Sequence, residues 1–262
     1  MVVELFIKAK CILNICGHII LMDKRRKADN IGISISLSIM LTPNLMTSKL
    51  LSEIDHIVIA SPSLDEGVKY VYETLGVMPQ FGGVHTRMGT HNSLLRLGNS
   101  IYLEVIAINP ETPKPDNPRW FALDKPGENV KPKLLTWVAR TNDIKLATAN
   151  FLTLFGDIEP MNRADLNWLI TIPPDGSLPL NGVCPSLIQW LNEPHSATKL
   201  SDSGCSIIGI EGYHYEAKQI RETLQSIGFE GTFSVSPIQQ SEKPYLIAHI
   251  QTPNGIRKFE SQ

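Results

Sequence analysis

A histidine and a glutamate flank the dipeptide Gly98-Asn99 at distances that can bring their side chains together. If Gly98-Asn99 is a two-residue hairpin turn, Leu97 pairs with Ser100 and Ser93 lies opposite Glu104. His91 is two residues from Ser93, so the strand period of two sets its imidazole on the same face as the Glu104 carboxylate. Such a pair can hold a divalent cation, and the carboxylate can also act as a base. One residue more or fewer in the turn would part them onto opposite faces. Asn92 beside His91, and Arg163 with Trp168 further along, are candidate substrate contacts: the guanidinium suits a carboxylate, the indole a flat apolar wall. The plainer roles are a surface charge for Arg163 and core packing for Trp137, Trp168 and Trp190.

The elements that must position these groups are written in the apolar pattern. Ile54 to Ile59 reads as a strand, Pro62-Ser63 as a turn, and Leu64 to Leu75 as an amphipathic helix closed by Gly76. Ser63, with Glu66 three residues on, has the layout of a capping box. A short extended piece follows near Val77 to Phe81, then strands at His91 to Leu97 and Ser100 to Ile108. The same order returns at Leu134 to Val138, with a helix from Ile144 to Phe155 capped by Asp143, an extended stretch Asp157 to Arg163, and strands Leu166 to Ile172 and Ser186 to Leu191. A third, weaker copy runs through Ser206 to Ile210, the helix Ala217 to Ile227, and strands at Thr232 to Val235, Tyr245 to Gln251 and Ile256 to Phe259. Unequal loops in a fixed order fit duplicated modules rather than a solenoid. The expected class is α+β, with residues 51–192 forming two βαβββ modules around a curved, half-open barrel-like sheet and 205–262 a third βαβββ-like unit.

Three stretches, Ile54-Asp55-His56-Ile57-Val58-Ile59, Gly89-Thr90-His91-Asn92 and Tyr102-Leu103-Glu104, resemble the glyoxalase-like branch of the vicinal oxygen chelate superfamily. The resemblance covers residues 52 to 192, taking in Arg163, Trp168 and Leu187-Ile188-Gln189-Trp190, and thins beyond about 200. It implies paired βαβββ modules enclosing a metal site, with His56 and Glu104 at ligand positions. With His91 they would make a two-imidazole, one-carboxylate set of the kind that holds iron and tolerates zinc, manganese or nickel. The second module departs from the superfamily pattern. Thr136 falls at the position matching His56, and Gln189, matching Glu104, could coordinate weakly or hydrogen-bond a substrate. The third unit has Ile208 at the His56 position, which leaves it packing or covering a sheet edge. A lone histidine on an apolar strand also serves as a core residue with one hydrogen bond, the alternative for His56. His85 and His195 fall in loops where water would solvate them, although His195 follows Trp190 closely enough to approach the cleft.

Two functional readings follow from the resemblance. One is a metal-dependent lyase, isomerase or dioxygenase in which a divalent cation stabilises an oxyanion or enediolate of a small oxygenated metabolite, with Glu104 as ligand or base. The other is a metal-free binding or resistance protein using the same cleft for a small molecule. The second module's poor ligands favour the binder; the His56, His91 and Glu104 set favours the enzyme. Other catalytic motifs come up empty. There is no phosphate-cradling glycine loop, no Gly-x-Ser-x-Gly elbow and no Cys-x-x-Cys pair, and nothing basic stands near Cys184 or Cys205 in sequence.

The 262 residues, 42% hydrophobic and 19% charged, can bury one or two cores. A net charge of -2 removes the basic footprint of a nucleic-acid binder. Four scattered cysteines in a chain of this size fit reduced thiols and a cytoplasmic setting. Homodimerisation is compatible with this architecture. Residues 1–50 stand apart, with seven basic groups against three acidic ones. Their apolar run Cys11 to Met22 is too short to span a bilayer and is not followed by a small-residue cleavage site, so the expectation is a poorly ordered extension rather than a signal or anchor.

Overall fold

In the computed structural model, residues 49–125, 130–192 and 195–261 are described. The expected N-terminal extension, with Cys11, Cys16 and His18, lies outside these residues apart from its last two positions. The first module consists of β1 (Ser52–Ala60), α1 (Leu64–Leu75), β2 (Gln80–His85), β3 (Thr90–Arg96) and β4 (Tyr102–Ile108). The second is β5 (Lys133–Thr141), α2 (Ile144–Thr148), α3 (Leu152–Phe155), β6 (Asp157–Arg163), β7 (Leu166–Ile172) and β8 (Ser186–Trp190). Their strands form one sheet in the order β2-β3-β4-β1-β5-β8-β7-β6. β1 runs parallel to β4, β5 runs parallel to β8, and the antiparallel pairing of β1 with β5 joins the halves. The sheet curls until its outer strands approach each other: Arg87, just after β2, donates to the Pro160 carbonyl of β6 at 2.9 Å and pairs with Glu159.

The helix of the first module starts and stops where its sequence dictates. The Ser63 hydroxyl accepts from the Glu66 N–H, and Gly76 adopts φ 76°, a left-handed end in which its own N–H returns to the Tyr72 carbonyl. Leu64, Gly67, Val71 and Leu75 form the buried face. Each such aliphatic side chain contributes about 1.5–3 kcal/mol on leaving water. Gly67 sets the spacing, because a Cβ there would stand 2.4 Å from Val105 of β4. The second module's helix is not continuous over Ile144 to Phe155. The Thr148 hydroxyl bonds back to the Ile144 carbonyl at 2.8 Å, a contact that loosens helices, and Phe151 leaves helical geometry before α3 begins. Asp143 does cap α2, accepting from the Leu146 N–H.

The remaining strands, β9 (Ser206–Tyr213), β10 (Phe233–Ser236), β11 (Tyr245–Thr252) and β12 (Gly255–Glu260), with α4 (Ala217–Ser226), have the element order expected of a third module. Their pairing differs. In the order β10-β9-β11-β12 the first strand is central and its parallel partner is the strand straight after the helix, so the unit is a βαβ crossover with a hairpin added. It is stitched to the first module where Ser52 and Glu230 exchange backbone bonds with Gly228 and Ser52. Ile210, Leu246, Ile250 and Phe259 join the same core as Ile57, Leu103 and Trp137 on the convex face of the large sheet. The concave face is lined by a separate cluster that includes Val58, Ile106, Trp168 and Ile188.

Candidate functional site

A bulge in β1 aims the first two charged groups. In the ladder with β5, Ile54 pairs with Ala139 and His56 with Val138, leaving Asp55 as the extra residue. Ile54 therefore packs on the convex side with Ile57 and Ile59, while His56 follows Val58 and Ala60 onto the concave side. The Asp55 side chain is fully buried and accepts three hydrogen bonds: from His56 Nδ1 at 2.6 Å, from Trp190 Nε1 at 2.8 Å and from His195 Nε2 at 2.9 Å. His195 is itself oriented, since its Nδ1 accepts from the Ala197 N–H, leaving Nε2 to carry the proton toward Asp55. Burial pushes the Asp55 carboxyl up, but the bonds from His195 and His56 and the fields of both rings outweigh it and hold the group well below the ordinary carboxylate range.

With Nδ1 donating to Asp55, the Nε2 lone pair of His56 faces the pocket, and the ring is stacked on Tyr102 with centroids 4.5 Å apart. Burial, then the nearby Asp55 and Glu104, raise the Tyr102 phenol well above its usual range, so it stays protonated. Glu104 Oε2 lies 3.6 Å from His56 Nε2, too far for a direct hydrogen bond and near enough for one group placed between them to touch both. Its other oxygen accepts from Asn92 Nδ2 at 2.5 Å, and Asn92 Oδ1 accepts from Arg163 Nη1 at 2.8 Å. The same Arg163 nitrogen faces His85 Nε2 at 3.3 Å, while His85 Nδ1 meets the Thr90 hydroxyl at 3.1 Å. Burial, with the charge of Arg163 next, pushes the His85 imidazole down to about 3, so it is neutral.

His56, His85, Asn92, Tyr102, Glu104 and Arg163 line a pocket whose other walls are Trp120, Phe121, Trp168, Ile170, Ile188 and Trp190. His56, Glu104, Asn92, Arg163 and Trp168, each singled out in the sequence, meet here. His91 does not. The hairpin loop has three residues, Gly98 to Ser100, closed by Leu97 N–H to the Ile101 carbonyl, so Leu94 rather than Ser93 lies opposite Glu104. The slip turns His91 to the convex face opposite Ala107, and puts Asn92 on the Glu104 face. Gln189 is also turned away: its side-chain oxygen accepts from the Ile144 N–H, and its amide donates to the Asn142 carbonyl. His85, placed in a solvated loop by the sequence reading, is the buried last residue of β2. Asp55 was missed because strict alternation sends it to the face opposite His56; its one signal was an acid inside an otherwise apolar strand.

The donors fit the expected metal set poorly. His56 and Glu104 stand at a separation that two bonds of about 2.1 Å span at a roughly tetrahedral angle. Among the described residues no group of three histidine, cysteine, aspartate or glutamate side chains is placed to hold a metal ion, and His85, in the same pocket, turns its Nε2 to the Arg163 guanidinium. The amide oxygen nearest Glu104 is already committed to the Arg163 guanidinium, which brings a positive charge where a dication would need another ligand. Cys184 is buried and its thiol is raised well above its ordinary range by burial alone, as expected of an inert cysteine.

Two modules sharing one curled sheet, with a polar cluster on its concave side, define the vicinal oxygen chelate fold. The chain belongs to the glyoxalase-like domain family of that superfamily, whose model matches residues 54–228. Among solved structures, a hypothetical protein from Staphylococcus aureus aligns over 72% of this chain and 86% of its own at 15% identity, with a TM-score of 0.51. Methylmalonyl-CoA epimerase in complex with methylmalonyl-CoA and NH4+ aligns over 55% of this chain and 99% of its own at 18% identity, with a TM-score of 0.38. A mutant 4-hydroxymandelate synthase from Streptomyces coelicolor aligns over 80% and 62%, at 16% identity and a TM-score of 0.41. Curated proteins gave no match. Among the described residues no helix is long and apolar enough to cross a membrane.

Proposed function

We propose that this chain is a glyoxalase-like enzyme that moves protons on a small oxygenated metabolite, with Glu104 as the catalytic base and His56, set by Asp55, as its acid partner. The observation that carries the reading is the Asp55–His56–Glu104 line: a buried carboxylate orients an imidazole, whose free nitrogen stands 3.6 Å from a second carboxylate at the pocket wall. A substrate with a carbonyl and a hydroxyl on adjacent carbons suits that pair. Glu104 takes the proton from the hydroxyl-bearing carbon, the electron pair moves toward the carbonyl oxygen, and His56 in its imidazolium form gives that oxygen a proton. The product is an enediol, and the same two groups working in reverse rebuild the carbonyl on either carbon. Asp55 stabilises the imidazolium through its 2.6 Å bond. The oxyanion is thereby neutralised by a proton, a role the sequence reading gave to a Lewis-acid metal; with the third ligand turned away, no step is assigned to a metal.

Proton NMR in heavy water, following a panel of small hydroxyketones and 2-oxo acids, tests the reading. Wild-type protein is expected to exchange deuterium into at least one member about 100-fold faster than buffer, in the presence of a chelator, and Glu104→Gln to lose that exchange. Exchange that vanishes with the chelator and returns with added zinc, manganese, nickel or iron would restore the metal-dependent enzyme. Saturable binding with no exchange in any member would leave the metal-free binding protein.

A further inference from the structure

The cation in the pocket has no anion of its own. Arg163 ends β6 half-buried, and among the described residues no carboxylate lies within ion-pair distance of its guanidinium. Its recorded contacts, Asn92 Oδ1 at 2.8 Å and His85 Nε2 at 3.3 Å, are both to neutral groups, His85 being held uncharged. Arg87, Arg119 and Arg140 are paired with Glu159, Asp124 and Glu53, while Arg96, Arg221 and Arg257, which lie outside the pocket, bond to backbone carbonyls or an amide oxygen. A partly dried, unmatched guanidinium is costly to maintain, and an anion arriving in the pocket would offset that cost.

The cradle around Arg163 is built from the opposite edge of the sheet. β2 bulges at Gly82, between Phe81 and Gly83 in its ladder with β3. A Cβ on Gly82 would stand 2.3 Å from Asn92 Oδ1, and one on Gly83, at φ 147°, would stand 2.9 Å from Arg163 Cδ. Both glycines of the bulge therefore leave room for the Asn92–Arg163 couple. Beyond the cation the walls are aromatic: Trp120 stacks with Phe121 at 5.5 Å, and Trp168 lies against Trp190 at 5.5 Å.

We propose that the ligand is a planar, aromatic or conjugated carboxylate, its carboxylate on Arg163 and its flat part between Trp120 and Trp168. This rests on the pocket assigned above as the active site, and it adds that the proton acted on belongs to a carbon close to the ring or chain held by those indoles. The four probes are benzoate, benzamide, benzyl alcohol and acetate, titrated into the full chain and followed by calorimetry and by quenching of tryptophan fluorescence.

Benzoate is expected to bind about tenfold or more tightly than benzamide, benzyl alcohol and acetate. Arg163→Met should abolish the preference for benzoate over benzamide, and Arg163→Lys should retain part of it. Equal affinity for benzoate and benzamide, no saturable binding of benzoate, or an unchanged preference in Arg163→Met would overturn the proposal. Because binding is read without turnover, the two readings separate. A benzoate preference in a protein that exchanges no substrate proton keeps the carboxylate site and removes the enzyme. Exchange on neutral hydroxyketones with no benzoate preference does the reverse.

Discussion

β1 and β5 hold equivalent places, each opening a module and each lying beside the last strand of its own half, yet they are equipped for different work. β1 is bulged and presents Asp55 and His56 to the concave side, and its neighbour β4 adds Glu104. At the matching position β5 carries Thr136, whose hydroxyl donates to the Gly182 carbonyl at 2.9 Å and takes no part in the pocket. The second half contributes Arg163, Trp168, Ile170, Ile188 and Trp190: one cation and a set of walls. On the proposed reading, one half handles protons and the other holds the molecule that carries them. Changes in the first half should therefore act on turnover, and changes in the second on binding.

The largest effect should come from the base. Glu104→Gln keeps the shape of the side chain, and is expected to lower exchange by about 1,000-fold while moving the melting temperature by only a few degrees. Loss of exchange matched by loss of folding in thermal melts would instead make Glu104 a structural residue. Asp55→Asn should follow, with exchange down about 100-fold and stability in urea down by about 3 kcal/mol, since one acceptor of three donors is replaced by an amide with a donor of its own. The Asp55 carboxyl is held below its unfolded value, so its contribution is fully present above the unfolded pKa and fades as pH falls toward the folded one. The stability gap between wild type and Asp55→Asn is thus expected to be constant from about pH 7 to 5 and to narrow only below about pH 4. A gap that closes near pH 6 would place its origin in a histidine.

Smaller effects sharpen the division between halves. Trp168→Leu should raise KM about tenfold and leave kcat within a factor of about three, the pattern of a wall that binds ground and transition states alike. A fall in kcat with unchanged KM would mean that the second half shares in the chemistry. His91→Ala and Gln189→Ala, both turned from the pocket, should keep exchange within about twofold of wild type, and steady-state kinetics on the pair check the register directly. A hundredfold loss in His91→Ala would restore it to the site and reopen the metal set.

Much of this was legible in the sequence, and the failures share one cause. The strands and helix caps follow from apolar period and from Ser63, Gly76 and Asp143, and the convergence of His56 with Glu104 follows from the family resemblance. The side-chain face, however, depends on counts of single residues. One extra residue in the Gly98 hairpin exchanged His91 for Asn92, and one in β1 brought Asp55 round beside His56. Bulges and loop lengths are decided by twist and by contacts across the sheet, here the Arg163–Asn92 couple against Gly82 and Gly83, and these are not written in local pattern. His195 illustrates the same limit from a greater distance, since it meets Asp55 across 140 residues of chain.

The tautomer of His56 is the most direct test, because the proton relay requires Nδ1 to keep its proton on Asp55, so that Nε2 is the nitrogen that takes up a proton and gives it to the substrate. Long-range proton–nitrogen NMR on uniformly labelled protein reads that state without any substrate. The expected result is an Nδ1-protonated ring whose proton resonates far downfield, with the signal lost in Asp55→Asn. A His56 ring that is neutral and protonated at Nε2, or whose spectrum is the same in Asp55→Asn, would contradict the assignment of the Asp55–His56–Glu104 line as the working part of this protein.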